Sequence, residues 1–199
     1  DAHARASVDL LLDVLDLDAG QARTTEDIFT GRSHHMPTGR IYGGQVLAQT
    51  LLAAERTMPD DRAVHSMHGY FLRPGDAAQG LTIAVDRIHD GRSFSTRRSQ
   101  AYQNGVPIFS MIASFQDDDA GIEHAEPMPD GIPAPEELAP DEALVRGVHP
   151  LTMRMLTDRP ADIRHVDAPI FQTAGGEQVA RQAVWMRMRS SLPDDPKIH

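Results

Sequence analysis

Residues 64 to 116 hold long runs of strand-forming sequence separated by turn dipeptides, and this pattern limits the fold more than any other feature of the chain. Asp90-Gly91 joins LTIAVDRIH to RSFSTRRSQAYQ, and Asn104-Gly105 joins that second run to VPIFSMIASFQ. Both dipeptides suit two-residue type I′ hairpins, in which the two central residues need a positive φ. The sequence therefore predicts an antiparallel meander.

A helical segment lies just before these strands. Gly43-Gly44 opens the run GGQVLAQTLLAAERTM, which Pro59 ends. Apolar residues surround most of this helix, so we predict a buried helix wrapped by the sheet, which is an α+β arrangement. Residues 7 to 17 predict a second, shorter amphipathic helix with Ser7 as its N-cap.

An acidic, proline-rich segment follows the strands. Residues 117 to 150 hold ten acids, one base and six prolines, and they account for most of the net charge of −10. This composition is typical of an interdomain linker. Two more strands are predicted, at 161 to 167 and 181 to 191. We therefore predict a first domain at 1–118, a linker at 119–155 and the opening strands of an incomplete second domain at 156–199.

Composition excludes several classes of protein. The 199 residues include no cysteine, which excludes disulfides, thiolate-bound zinc and a cysteine nucleophile. No run approaches the roughly 20 apolar residues of a membrane span, and the N-terminus lacks a secretory leader pattern. No basic run supplies the charge that binding to nucleic acid requires. We expect a cytoplasmic protein with no membrane span and no nucleic-acid partner.

Known catalytic motifs are also missing. The chain has no G-x-S-x-G elbow, no G-x-G-x-x-G and no P-loop, which argues against a serine hydrolase, a dinucleotide-binding protein and a P-loop enzyme. His65 and His68 stand three residues apart on a predicted strand, so we expect them on opposite faces, where they cannot bind one metal ion together. We therefore expect no metal and no cofactor.

Three motifs in order closely resemble the type II acyl-CoA thioesterase family: RIYGGQVLAQTLLAA, VHSMHGYFLRPGD and DGRSFSTRRSQAYQNGVPIFSMIASFQ. The resemblance runs from Leu10 to His199. It implies a complete first hotdog domain, in which a long helix is wrapped by an antiparallel sheet, and the start of a second. It also implies hydrolysis of fatty acyl-CoA to fatty acid and coenzyme A. The family's catalytic aspartate, which activates a water, is supported by a Ser/Thr and a Gln in the second hotdog. We expect it beyond His199.

The resemblance implies that the start of the central helix contributes to substrate binding. Hotdog enzymes place backbone N–H groups there against the thioester oxygen, and the helix dipole favours negative charge at that end. Gly43, Gly44 and Gln45 occupy this place, and we expect them to bind substrate. The alternative is that the glycines permit a tight turn and that Gln45 is simply a polar residue at the helix end.

Within this chain, histidine is the residue type best suited to act as a base. His65 or His68, with Asp76 nearby in sequence, forms the best candidate catalytic pair. The alternative for each histidine is a hydrogen bond within the sheet. These three residues are therefore secondary candidates beside the family's aspartate.

Arginines form the remaining candidate group for substrate binding. Coenzyme A carries three phosphates, which suit arginine side chains, and Arg92, Arg97 and Arg98 lie close together in sequence. Arg97 and Arg98 should lie on opposite faces of their strand. The alternative is a ladder of charges paired with Asp86 or Asp90.

Two classes of function stay open at this point. One is an acyl-CoA thioesterase of fatty-acid metabolism, and the other is a non-catalytic module whose hotdog groove binds acyl-CoA without turnover. In both, acyl-CoA is the small-molecule partner, and we expect a homo-oligomer formed through the hotdog sheets, since the strands within 161 to 191 leave unpaired edges. Four phenylalanines are expected in the core, edging an acyl tunnel: Phe71, Phe94, Phe109 and Phe115.

Overall fold

The computed structural model describes residues 2–19, 26–144, 150–169 and 180–198, which group into two compact units. The larger, here called the six-stranded unit, consists of Leu10–Gly121 and Asp194–His199. The smaller, here called the two-stranded unit, consists of Asp1–Asp9 and Ile122–Pro193. In the part of the chain that the structure describes, no helix has the length and apolar character to cross a membrane.

The six-stranded unit contains one antiparallel sheet. Its strands are β1 (Asp18–Ala19), β2 (Asp27–Gly31), β3 (Arg62–Phe71), β4 (Leu81–Asp90), β5 (Phe94–Gln103) and β6 (Val106–Asp117). Their order in the sheet is β1-β2-β4-β5-β6-β3. The predicted meander is confirmed for β4, β5 and β6, which are neighbours in sequence and in space. β3 pairs with β6 instead of β4 and forms one edge of the sheet.

The central helix, α2 (Gly43–Glu55), packs against this sheet, as the sequence predicts. Arg56 caps its C-terminal end with an N–H bond to Leu52 O of 2.9 Å, and Pro59 follows. Burying the apolar side chains of the helix and sheet against each other supplies the main driving force for the fold. The core includes Val46, Leu52, Ala53, Ile83, Val85, Phe109, Met111 and Phe115.

The first helix, α1, starts earlier than predicted. It spans Ala2–Leu15, so Ser7 lies in its interior and not at its N-cap. The Ser7 hydroxyl donates to His3 O at 3.2 Å, the i−4 hydrogen bond that serine makes within a helix. The cap prediction for Ser7 is wrong because residues before it continue the helix.

The turn between β5 and β6 is the predicted type I′ hairpin. Asn104 and Gly105 have φ values of 49° and 74°. The Asn104 amide also donates to Gln79 Oε1 at 2.7 Å. Both residue types tolerate this left-handed region, so the prediction from the dipeptide is confirmed.

The prediction of the same turn at Asp90-Gly91 is wrong. Three residues connect β4 to β5, and Gly91 does not have a positive φ. Arg62 on β3 donates to the carbonyl oxygens of Gly91 at 2.8 Å and of Arg92 at 2.6 Å. These tertiary hydrogen bonds stabilise a longer loop than the dipeptide alone favours.

The two-stranded unit contains the acidic segment together with β7 (Ala161–His165) and β8 (Val184–Met188), which pair antiparallel at the two strands predicted there. Its helices are the 3-10 turn Pro135–Glu137, α3 (Asp141–Leu144) and α4 (Pro150–Thr157).

Side chains of the two strands bind the acidic segment. Trp185 donates to Pro133 O at 3.0 Å, and Arg164 donates to Pro135 O and Leu138 O. The segment predicted as a linker is thus packed in this unit. That the unit opens a second hotdog stays a prediction.

Candidate functional site

The start of α2 places two glycines beneath two aromatic rings. A Cβ on Gly43 would lie 3.1 Å from Cε1 and Cζ of Phe71, and a Cβ on Gly44 would lie 2.9 Å from Cζ of Tyr42. Neither glycine has a positive φ. The pair therefore needs no left-handed backbone. A Cβ at either position would meet a ring, and both rings are more than half exposed, so each ring would have to shift to admit it.

An apolar cavity of about 340 Å³ opens beside the start of α2. The Phe71 ring forms part of its wall, and Arg73 supplies a cation whose Nη1 donates to Pro107 O at 2.9 Å. An apolar pocket with a few polar groups is the usual form of a small-molecule site. Its lining consists of Ile41, Gly43, Val46, Phe71, Leu72, Arg73, Pro74, Gly75 and Ile108.

The Gln45 side chain holds the preceding loop in place through hydrogen bonds. Its side chain is 7% exposed, its Nε2 donates to Arg32 O and to Gln49 Oε1 at 3.1 Å each, and its Oε1 accepts from the His34 N–H at 3.1 Å. Substrate contact would require these bonds to break. A binding role for Gln45 stays a prediction, and the structure gives it a role in the fold.

His65 and His68 lie on the same face of β3, which corrects the prediction of opposite faces. The register shifts between Val64 and Ser66, so a bulge at His65 changes the alternation of side chains. His65 Nε2 lies 2.9 Å from Ser114 Oγ on the outer face of the sheet, and the His68 ring packs on that of Tyr70. Among the described residues, no group of three or more His, Asp or Glu is arranged to hold a metal ion.

Asp76 lies in the turn after β3 and is not brought to either histidine. Its carboxylate accepts from the Ala78 N–H at 2.9 Å and from Gln79 Nε2 at 2.8 Å, and these bonds lower the pKa of Asp76. Within the described residues, no hydrogen bond or ion pair joins Asp76 to His65 or His68. The catalytic role of the three stays a prediction, now without the geometry of a catalytic pair.

The three candidate arginines differ in access to solvent. Arg97 is 1% exposed and donates to Thr57 Oγ1 and Asp90 Oδ1, both at 2.7 Å. Arg98 lies on the opposite face, as predicted, and pairs with Asp86 at 2.9 Å. Arg92 is exposed. A phosphate has access to Arg92 and Arg98 as placed, whereas Arg97 is used within the fold.

Tyr42 and Leu72 are parts of this site that sequence reasoning missed. Tyr42 is 66% exposed at the N-cap of α2, and Leu72 is 45% exposed beside the cavity. An aromatic residue directly before a glycine pair was the available signal for Tyr42. No local pattern marks Leu72, because its place depends on how β3 ends.

The sequence is similar to those of known acyl-CoA thioesterases. The model of the acyl-CoA thioesterase N-terminal domain matches residues 32–116. Human acyl-coenzyme A thioesterase 8 is 35% identical over 188 residues, which cover 87% of this chain and 58% of that protein. The chain spans about three fifths of the length of the relatives it matches.

Solved structures agree with the sequence relatives. An acyl-CoA thioesterase II from Mycobacterium marinum has 36% identity and a TM-score of 0.71, covering 95% of this chain and 64% of that one. A protein with the hot dog fold from Alicyclobacillus acidocaldarius has a TM-score of 0.65, with coverage of 89% and 62%. At 17% identity, the latter bears on the fold alone. With its helix against an antiparallel sheet, the chain has the hotdog fold, and over most of its length it is similar to type II acyl-CoA thioesterases.

Proposed function

We propose that the protein containing this chain hydrolyses acyl-CoA to a carboxylic acid and coenzyme A. Similarity to acyl-CoA thioesterases supports this reaction class, and the apolar cavity at the start of α2 is the feature of this chain that suits such a substrate. Its volume of about 340 Å³ lies within the usual range of small-molecule pockets. The acyl chain is the apolar part of the substrate that such a cavity suits.

The reaction adds water across the thioester. The water oxygen attacks the carbonyl carbon, the C–S bond breaks, and the sulfur leaves as the thiolate of coenzyme A, which takes up a proton. A carboxylate base that removes a proton from the water accelerates the attack. In this proposal the base is the family's aspartate, which we expect beyond His199.

The residues of this chain would bind and orient the substrate. Gly43 lines the cavity at the first turn of α2, so a thioester carbonyl at the cavity mouth would face the N-terminal end of that helix. The N-terminal N–H groups and the helix dipole stabilise the negative charge that develops on this oxygen. Arg92 and Arg98 remain candidates for the phosphates of coenzyme A.

Release of free thiol from palmitoyl-CoA and a short-chain acyl-CoA tests the proposal. We expect thiol to appear in proportion to the thioester consumed. Saturable binding of a non-hydrolysable S-alkyl-CoA without thiol release would favour the alternative, a non-catalytic acyl-CoA binding module. If the 199-residue chain alone releases thiol, a base lies within it, and His65→Ala, His68→Ala and Asp76→Asn become the variants to compare.

A homo-oligomer formed through the hotdog sheets is also proposed. β3 is ten residues long and forms an edge of the sheet, with Tyr70 64% exposed and Phe71 58% exposed. A long apolar edge strand favours pairing with another strand. The cytoplasmic location stays a prediction from the sequence.

A further inference from the structure

Arg73 lies in the loop that follows β3, and hydrogen bonds hold this loop beside the cavity. The Leu72 N–H donates to Ile108 O at 2.8 Å, and the Ile41 N–H donates to Gly75 O at 3.0 Å. Ile41 and Ile108 are buried residues of the cavity wall. The loop is therefore anchored on both sides, and the backbone position of Arg73 is fixed without a ligand.

Arg73 carries a charge that no described carboxylate balances. Its hydrogen bond to a described residue runs from Nη1 to Pro107 O, a neutral acceptor, at 2.9 Å. Arg98, by contrast, is paired with Asp86. Asp76, the nearest acid along the sequence, accepts hydrogen bonds within its own turn. A guanidinium has five N–H donors, so most of those on Arg73 remain available to a ligand.

The rest of the cavity is uncharged. Of the described residues that line it, Arg73 alone carries a charge, and the others are glycine, proline, phenylalanine or aliphatic. Arg73 is exposed, which places its charge where the cavity meets solvent. The volume of about 340 Å³ lies near the lower end of the usual range for ligand pockets. These properties suit a ligand with a short or medium apolar chain and one anionic end.

A free carboxylic acid has this chemistry. It is ionised at pH 7, and its two oxygens match the parallel N–H groups of a guanidinium. Its chain gains free energy by leaving water for an apolar cavity. A simple acyl thioester has no charge beside its chain, so it would fill the same space without using the cation.

We propose that this cavity also binds a free carboxylic acid, with the apolar chain inside and the carboxylate on the Arg73 guanidinium. The proposed function supplies such an acid, because hydrolysis of acyl-CoA releases one, and the biological source of the ligand rests on that function. The acid occupies the space of the acyl chain, so it competes with the next substrate. The site therefore produces inhibition by the product acid.

Calorimetric affinities for octanoate and for 1-octanol, its uncharged analogue of the same chain length, test the site without turnover. We expect the wild type to prefer octanoate. Arg73→Met should weaken octanoate binding about fivefold and leave octanol binding nearly unchanged, since an exposed ion pair contributes up to about that factor. Arg73→Lys retains the charge and should keep part of the preference. If Arg73 only holds the loop through Pro107, Arg73→Met weakens both ligands equally, which overturns the inference.

Arg40→Met is the matched control. Arg40 is also exposed and lies directly before Ile41, but it does not line the cavity. Its replacement should leave the octanoate preference unchanged, which separates contact with Arg73 from a general loss of positive charge. Added salt should weaken octanoate binding to the wild type and to Arg40→Met, with little effect on Arg73→Met.

Binding and turnover together separate this inference from the proposed function. An octanoate preference that depends on Arg73, without thiol release from octanoyl-CoA, supports the inference and contradicts the proposed function. Where thiol is released, octanoate should inhibit competitively, with an inhibition constant about fivefold higher in Arg73→Met.

Three results overturn the inference and leave the proposed function intact when thiol is released. The first is equal affinity for octanoate and octanol, or no octanoate binding at all. The second is an equal loss of octanoate affinity in Arg73→Met and Arg40→Met. The third is a loss of affinity for coenzyme A in Arg73→Met with no change for octanoate, which would assign the arginine to a phosphate.

Discussion

Arg97 shows how one side chain fixes several parts of the six-stranded unit. It is buried, and besides Thr57 and Asp90 it donates to His89 O at 3.1 Å and Thr96 O at 3.0 Å. Thr57 lies just after α2, so the guanidinium joins the end of the helix to the ends of β4 and β5. The sequence places it correctly on a face opposite Arg98, but sequence alone does not indicate which face is buried.

Replacing Arg97 with Met should lower the free energy of unfolding by about 3 kcal/mol, because the buried oxygens of Thr57 lose their donors and the Asp90 carboxylate loses its partner. Arg98→Met is the matched control. It removes an exposed ion pair with Asp86 and should cost no more than about 1 kcal/mol. Urea denaturation of both variants measures the difference, and equal costs would contradict the assigned role.

Residue types in the sequence locate the candidate site, but they do not show which side chains contact each other there. The glycine pair and the apolar helix mark the start of α2 in the sequence. The ring positions of Tyr42 and Phe71 do not appear there, because they arise where β3 ends beside that helix. Phe71, expected in the core, is more than half exposed for the same reason.

At the scale of elements, turn dipeptides predict a hairpin only where no distant side chain intervenes. Asn104-Gly105 forms the expected turn, whereas Asp90-Gly91 does not, because Arg62 holds a longer loop. The bulge at His65 is likewise absent from any local pattern, since it depends on pairing with β6. The meander and α2 are predictable because their hydrophobic periodicity is local.

Gly105→Ala should lower the free energy of unfolding by about 1 kcal/mol, since alanine is strained at a φ of 74°. Gly121→Ala is the control. A Cβ has open space at both positions, but only Gly105 has a positive φ. Thermal denaturation should show a lower Tm for Gly105→Ala alone. Equal Tm values would mean that the left-handed turn carries no strain.

At the scale of the whole molecule, the six-stranded unit also includes the C-terminal residues Asp194–His199. Lys197 Nζ pairs with Asp60 at 2.9 Å, and Ile198 packs against the core of this unit. Asp195 accepts from the Lys197 N–H at 2.9 Å. Glu55 lies at the end of α2 close to these residues, and burial raises its pKa to about 7, despite the nearby Lys197.

This raised pKa predicts a pH dependence of stability. Between pH 4.5 and about 7 the folded state binds a proton at Glu55 that the unfolded state has released, so the free energy of unfolding falls as pH rises through this range. Glu55→Gln should remove this fall and stabilise the protein above pH 7 by about 1 kcal/mol, a value reduced for partial exposure.

Urea denaturation of Glu55→Gln at pH 5, 6, 7 and 8 measures the effect. Asp61→Asn controls for the loss of one negative charge, because it removes an exposed carboxylate near the same end of α2. A pH profile for Glu55→Gln that matches the wild type would contradict the assignment.

We infer that this hotdog domain binds an acyl-CoA whose thioester is hydrolysed by the protein containing it. Free thiol released from palmitoyl-CoA by that protein, followed beside binding of S-hexadecyl-CoA to the same sample, measures both properties. We expect saturable binding and one thiol for each thioester consumed. Binding without thiol release would contradict the enzymatic claim, and the absence of both would contradict the proposed substrate.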